Sequence, residues 1–179
     1  MDIPATMFGN NAPILRGRAI SVSDGDTLRF LHAPTWFSPT TLRKNEKASE
    51  VAMPIRVCTI DTPETPKFGK PGQPFGPEAK ENLKRLVENR RVNVRLLQKD
   101  QYGRGVGQVY TGRLFFKTHV DEQMLQDGLA EVYQGSGAVY GPKGIDTYLH
   151  IENNAKQQKG GIWSQKNRES AADYKKRTK

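Results

Sequence analysis

Between residues 63 and 77 the chain reads PETPKFGKPGQPFGP, with five prolines and three glycines. No helix interior and no central strand holds such a density. Proline fixes φ and lacks a backbone donor, and glycine loses the most conformational freedom when ordered. The segment is a loop. It separates a β-like half from a half in which helices and strands mix.

Ahead of the loop, 14–22 (ILRGRAISV), 26–31 (DTLRFL) and 54–60 (PIRVCTI) read as strands. The first two are joined by an Asp-Gly turn. Residues 32–53 form a long polar excursion between the second and third strands, expected as a solvated loop. Behind the loop, Pro77 opens a helix to about Asn89, with Ala79, Leu83, Leu86 and Val87 on one stripe. Strands follow at 91–98 and 105–111. A second helix is expected behind Thr118 as N-cap, stopping near Gly128. A third covers roughly 142–158, with Ile145, Tyr148 and Glu152 at helical spacing. The expected fold is a β-barrel with helices: a five-stranded OB-fold barrel plus about three α-helices. The chain divides into a flexible arm (1–13), one domain (14–164) and a basic flexible tail (165–179).

Charge narrows the partner class. The net charge is +9 with a sequence pI near 9.7 and a mean hydropathy of −0.72. The last fourteen residues supply +4 of it, which leaves the body basic in its own right. Such a balance favours a polyanion, nucleic acid before an acidic membrane surface. Cys58 is the one cysteine, so an intrachain disulfide and a cysteine metal cluster are excluded. His32, His119 and His150 lack ligand-like spacing. No apolar run approaches membrane-spanning length, and the first residues lack a signal-peptide core. The chain as it stands is expected to be soluble. A compartment, and any anchor or targeting segment ahead of Met1, are not written in these residues. A monomer is the default.

Against this basic background, carboxylates at two turns stand out. VSDGDT carries Asp24 and Asp26, and DTPET carries Asp61 and Glu64. Each motif alone is an ordinary turn. Together they offer oxygen-only ligands suited to a hard cation such as Ca²⁺: Asp26, Asp61 and the Thr62 carbonyl, with Glu64 beside them. Arg56 lies mid-strand between Ile55 and Val57, and Arg104 sits between two glycines in YGRG. A guanidinium grips phosphate through paired hydrogen bonds. A divalent ion, a water-activating Glu64 and phosphate-binding Arg56 and Arg104 make a complete set for phosphodiester hydrolysis. Lys67 and Lys70 lie in the loop beside Glu64, where they can steer a phosphate chain.

The ordered series DGDT, IRVCTIDTPET, GPEA, YGRG, DGLAEVY and GIW, spread over residues 16–164, resembles the staphylococcal nuclease (thermonuclease-like) family. The fuller loop KFGKPGQPFGPEA and the extended VYQGSGAVYG resemble a eukaryotic branch with membrane-anchored members. The resemblance implies Ca²⁺-dependent cleavage of DNA and RNA, with 3′-phosphate ends and single-stranded or locally opened substrate. It places Asp26, Asp61 and the Thr62 carbonyl at the metal, and Asp24 near it without ligation. Glu64 becomes the water-activating residue, Arg56 and Arg104 the phosphate-binding pair, and Tyr102 a substrate contact. A family lysine is replaced by Gln101. The family's two substrate tyrosines do not align cleanly, and both Tyr133 and Tyr140 are candidates. A catalytically inactive OB-fold module that binds nucleic acid or protein is the alternative, although it has no need to keep all five of Asp26, Arg56, Asp61, Glu64 and Arg104.

Overall fold

The computed structural model describes residues 4–178 apart from 36, 40, 68, 89, 114 and 115. Among the described residues, eight strands run in chain order: β1 (Leu15–Asp24), β2 (Thr27–His32), β3 (Met53–Val57), β4 (Ile60–Asp61), β5 (Arg91–Lys99), β6 (Gly105–Arg113), β7 (Phe116–His119) and β8 (Glu131–Val132). The helices are α1 (Ala48–Val51), α2 (Gly76–Val87), α3 (Val120–Gln126), α4 (Gly144–Gln157) and α5 (Ala171–Arg177). Strands β3, β2, β1, β5 and β6 pair in that order, and a parallel β3–β6 pairing closes them into a five-stranded barrel. Closure removes the free edges that an open sheet of this size would expose. The register of β1 on β2 slips between Ala19 and Ser21 and again between Val22 and Asp24. Such irregularities bend and twist a strand, which a small barrel needs.

The alternating apolar residues of the strands fill the barrel. Leu28, Phe30, Ile55, Val57, Val94 and Leu96 have no more than trace exposure. Helix α2 covers this core with Ala79, Leu83, Leu86 and Val87, the stripe expected from the sequence. Pro77 stands in its first turn as anticipated. The expected helix end at Asn89 lies outside the described residues. Among the described residues, no helix is long and apolar enough to cross a membrane.

The structure departs from the sequence reading at several elements. A sixth sheet strand, β7, extends the β6 edge, and Thr118 pairs with Thr111 inside it. Helix α3 therefore starts later, behind His119, with no side-chain cap. The run 54–60 breaks at Cys58-Thr59, where Thr59 takes φ +74°, and Ile60–Asp61 pairs with Glu131–Val132 instead. The excursion 32–53 ends in the single turn α1. At the N-terminus, Met7 and Phe8 pack against the core and Gly9 donates to the Leu96 carbonyl.

The tail differs most. Where the sequence predicts a flexible arm over 165–179, helix α5 forms, with Ala171 and Tyr174 buried. Ser170 caps it, its hydroxyl accepting from the Asp173 amide at 3.0 Å. Two side chains dock it. Glu131 accepts from the Ala171 amide at 2.8 Å and pairs with Arg168. Gln73 donates to the Glu169 and Ser170 carbonyls at 3.1 and 3.3 Å.

Candidate active site

The turn between β1 and β2 is held against the segment that follows β4. A Cβ at Gly25 would stand 2.6 Å from the Thr62 hydroxyl, so only glycine permits this approach. The contact brings Asp26, at the start of the hairpin's second limb, beside Asp61, at the end of β4. Both carboxylates are buried and both meet a single atom: Arg56 Nη2 lies 3.0 Å from Asp26 Oδ2 and 2.9 Å from Asp61 Oδ1. Two turns 35 residues apart in sequence thus converge around one cationic centre.

Arg56 is fixed from several directions. It also donates to the Ile60 carbonyl at 3.3 Å, and its guanidinium lies 5.0 Å from the Tyr133 ring centre. Burial opposes its charge, but Asp26 and Asp61 more than offset that and raise its pKa. Burial likewise works against ionised Asp26, and here Arg56, Lys175, the Thr27 hydroxyl and Arg104 together hold its pKa below the ordinary value.

Arg104 is positioned by Asp100. The Asp100 carboxylate accepts from the Tyr102 and Arg104 amides at 2.9 Å each and from Arg104 Nε at 2.7 Å. Arg104 Nη1 then donates to Thr27 Oγ1 at 3.2 Å, and that hydroxyl donates to Asp26 Oδ1 at 2.7 Å. Arg104 is therefore tied to the acidic pair through one hydroxyl.

Glu64 stands on the other side. Its amide donates to Gln73 Oε1 at 3.1 Å, and its carboxylate is 3.2 Å from Lys175 and 3.9 Å from Lys67. Burial raises its pKa, with Asp24 and Asp26 adding to the rise against the opposing pull of Lys175. A raised carboxylate pKa suits a group that must take up a proton. Lys67 is paired with Asp24, and Lys70 reaches the Thr178 carbonyl.

These groups face a cleft of about 870 Å³, whose wall includes Arg56, Glu64, Tyr102, Arg104, Tyr133 and Lys175. Lys67 and Lys70 also line it, while Tyr140 does not. Tyr140 instead donates its hydroxyl to the Tyr133 carbonyl at 2.8 Å, behind the cleft. Of the two candidate tyrosines, Tyr133 is the one at the opening. Tyr102 is 73% exposed at its rim, under the Arg104 guanidinium at 5.6 Å. The Thr62 side chain is buried against Gly25.

Behind the cleft wall, the donors around Arg56 are of the oxygen type that a hard divalent cation takes. They are the buried carboxylates of Asp26 and Asp61, both drawn to Arg56 Nη2, with Lys175 also on Asp61. Elsewhere, His119, Asp121 and Glu122 bring three ligand atoms within 4.8 Å of one another. Burial pushes Asp121 up to about 7, and Lys143 already pairs with Glu122. That cluster reads as packing around α3.

Sequence reasoning missed Asp100, Gln73 and Lys175. Asp100 carries a readable signal, an aspartate opening a turn and accepting the amide two residues on. Lys175 does as well. SAADYKKR has a serine cap, an acidic residue in the first turn and three basic residues in the last, the signature of a short helix.

The closed barrel thus carries Arg56 and Arg104 on the wall of one cleft, with the buried carboxylates of Asp26 and Asp61 against Arg56. The comparisons give the family. A model of the "Staphylococcal nuclease homologue" family matches residues 54–165, and the chain belongs to that family. It is 42% identical over 176 residues to "Endonuclease Htp3" of Saprolegnia parasitica, covering 98% of this chain and 82% of that protein. It is 34% identical over 183 residues to "Probable endonuclease LCL3" of Komagataella phaffii, covering 98% and 79% respectively. A relative of the same name in Schizosaccharomyces japonicus is 40% identical over 176 residues, covering 92% and 75%. These relatives support nuclease activity for the chain.

Proposed function

We propose that the chain is a calcium-dependent nuclease that hydrolyses phosphodiesters of both DNA and RNA with little regard for the sugar, leaving 3′-phosphate ends. The observation that carries this reading is that two distant turns bring Asp26 and Asp61 onto Arg56, with Arg104 tied to Asp26 through Thr27 and Glu64 near by across Lys175. Asp26, Asp61 and the Thr62 carbonyl are the residues to hold the ion. When bound, Ca²⁺ would polarise the phosphate and offset charge on the five-coordinate phosphorus.

The remaining roles belong to the chain itself. Glu64, raised in pKa and facing the cleft, takes a proton from the attacking water or orients it. The water oxygen bonds to phosphorus and the bond to the 5′-oxygen breaks; that oxygen takes a proton from solvent water and leaves as the 5′-hydroxyl, while the phosphate stays on the 3′ side. Arg56 and Arg104 bind the phosphate oxygens as negative charge grows on them. Tyr102 and Tyr133 supply ring faces for unstacked bases, which favours single-stranded or locally opened substrate. Lys67 and Lys70, on the cleft wall, favour a polyanion there.

The test is a cleavage assay on single-stranded DNA, duplex DNA and RNA with Ca²⁺, Mg²⁺ or chelator. Ca²⁺ is expected to support cleavage of all three, with the single strand fastest. Mg²⁺ should support much less, because it demands octahedral geometry and gives up water reluctantly. Chelator should remove the activity. Tight nucleic-acid binding with no cleavage under any ion would replace this reading with that of a binding module.

A further inference from the structure

Asp61 and Glu64 already meet a cation that belongs to the chain. Lys175 Nζ, from α5, lies 2.6 Å from Asp61 Oδ1 and 3.2 Å from Glu64 Oε1. Its position is built rather than incidental. The Gln73 side chain joins the Glu64 amide to the Glu169 and Ser170 carbonyls. Glu131, which pairs with Asp61 across β4 and β8, holds Arg168 and the Ala171 amide. The elements that place Asp61 and Glu64 are thus the ones that dock α5. Asp26 and Asp61 do not line the cleft, whereas Arg56 and Lys175 do.

We propose that Lys175 is a further site residue, contributed by the C-terminal helix, that competes with the divalent cation for Asp61 and Glu64 and so sets the ion concentration at which the site fills. The physics is direct. Asp61 Oδ1 accepts from both Arg56 and Lys175, and a divalent ion bound there would face an ammonium at contact distance. Four carboxylates, of Asp24, Asp26, Asp61 and Glu64, meet three cations, of Arg56, Lys67 and Lys175. Arg56 is pinned inside a strand, while Lys175 is a flexible stem 38% exposed at its side chain. The ammonium is the cation that can swing away. Filling the site moves Lys175 off Asp61, and α5 acts as a tethered competitor at high local concentration.

This inference rests on the reading that Asp26 and Asp61 hold a divalent cation, and the test separates the two. Calorimetric titration with Ca²⁺ alone, in the absence of nucleic acid, compares the full chain with Lys175→Met, Lys175→Arg and Asp61→Asn. Lys175→Met keeps the length of the side chain and removes its charge. It is expected to bind Ca²⁺ roughly tenfold more tightly or better, since one opposing unit charge near the ion is gone. Lys175→Arg keeps the charge and should stay close to the parent, which a merely structural role for the lysine stem would not predict. The half-saturating Ca²⁺ concentration for cleavage should move in parallel. Unchanged or weaker Ca²⁺ binding in Lys175→Met, while Asp61→Asn abolishes binding, would overturn the competition alone. Parent-like binding in Asp61→Asn would instead overturn the metal site beneath it.

Discussion

Arg56→Ala is expected to lower the cleavage rate by about 10²–10³-fold, the effect of removing a preorganised donor to developing phosphate charge. It should also weaken the fold. Asp26 and Asp61 are buried and share Arg56 Nη2, so the alanine variant removes the cation common to both and leaves Lys175 in contact with Asp61. Removing one partner of a buried ion pair typically costs about 3–5 kcal/mol. Part of that loss should return in Ca²⁺, because the ion replaces the missing positive charge. Arg56→Lys separates the two roles. It restores a cation to the acids but not the planar fork that grips phosphate, so stability should recover further than rate. Single-turnover cleavage and urea unfolding, each with and without Ca²⁺, measure both. Arg56→Ala at parental rate would remove Arg56 from the proposed chemistry.

The second large effect is at Glu64. Glu64→Gln preserves shape, and the amide bond to Gln73 Oε1 is a backbone contact that survives. Proton uptake is lost, together with the charge that faces Lys175 and Lys67. Turnover should fall by about 10²–10⁴-fold, the range for a positioned acid–base group, while nucleic-acid affinity stays near that of the parent. Lys175 retains Asp61 as a partner, so α5 should stay docked. Fluorescence anisotropy with a labelled oligonucleotide, set against single-turnover rate, gives the comparison. A variant that loses binding together with rate would mean that Glu64 holds the cleft together and does not serve the chemistry.

The parts legible from the chain were those written in local spacing. The Pro/Gly-rich loop, the α2 stripe and the alternating runs of β1, β2 and β5 come through because turn chemistry and hydrophobic period act over a few residues. The site's carboxylates and arginines were visible as residues out of place: acid in a basic chain, arginine inside a strand. What local pattern does not carry is pairing across distance. The parallel β3–β6 closure and the two-residue bridge between β4 and β8 depend on partners far along the chain. β7 was hidden for the same reason, because Thr118 reads locally as a cap and is claimed instead by Thr111. The tail is a different case. Its helix signal is present in SAADYKKR, but its six basic residues read as a solvated arm. Its docking partners, among them Glu131, Gln73 and Asp61, are all distant in sequence.

The central claim is spatial, that one hard cation sits between Asp26 and Asp61. The most direct measurement is anomalous diffraction from crystals soaked in Ca²⁺, which locates the ion without reference to activity. The account predicts a single strong peak within coordination distance of both carboxylates, with Lys175 Nζ withdrawn from Asp61. A peak at His119, Asp121 and Glu122 in its place, or two carboxylates still closed on Arg56 and Lys175 at saturating Ca²⁺, would contradict it.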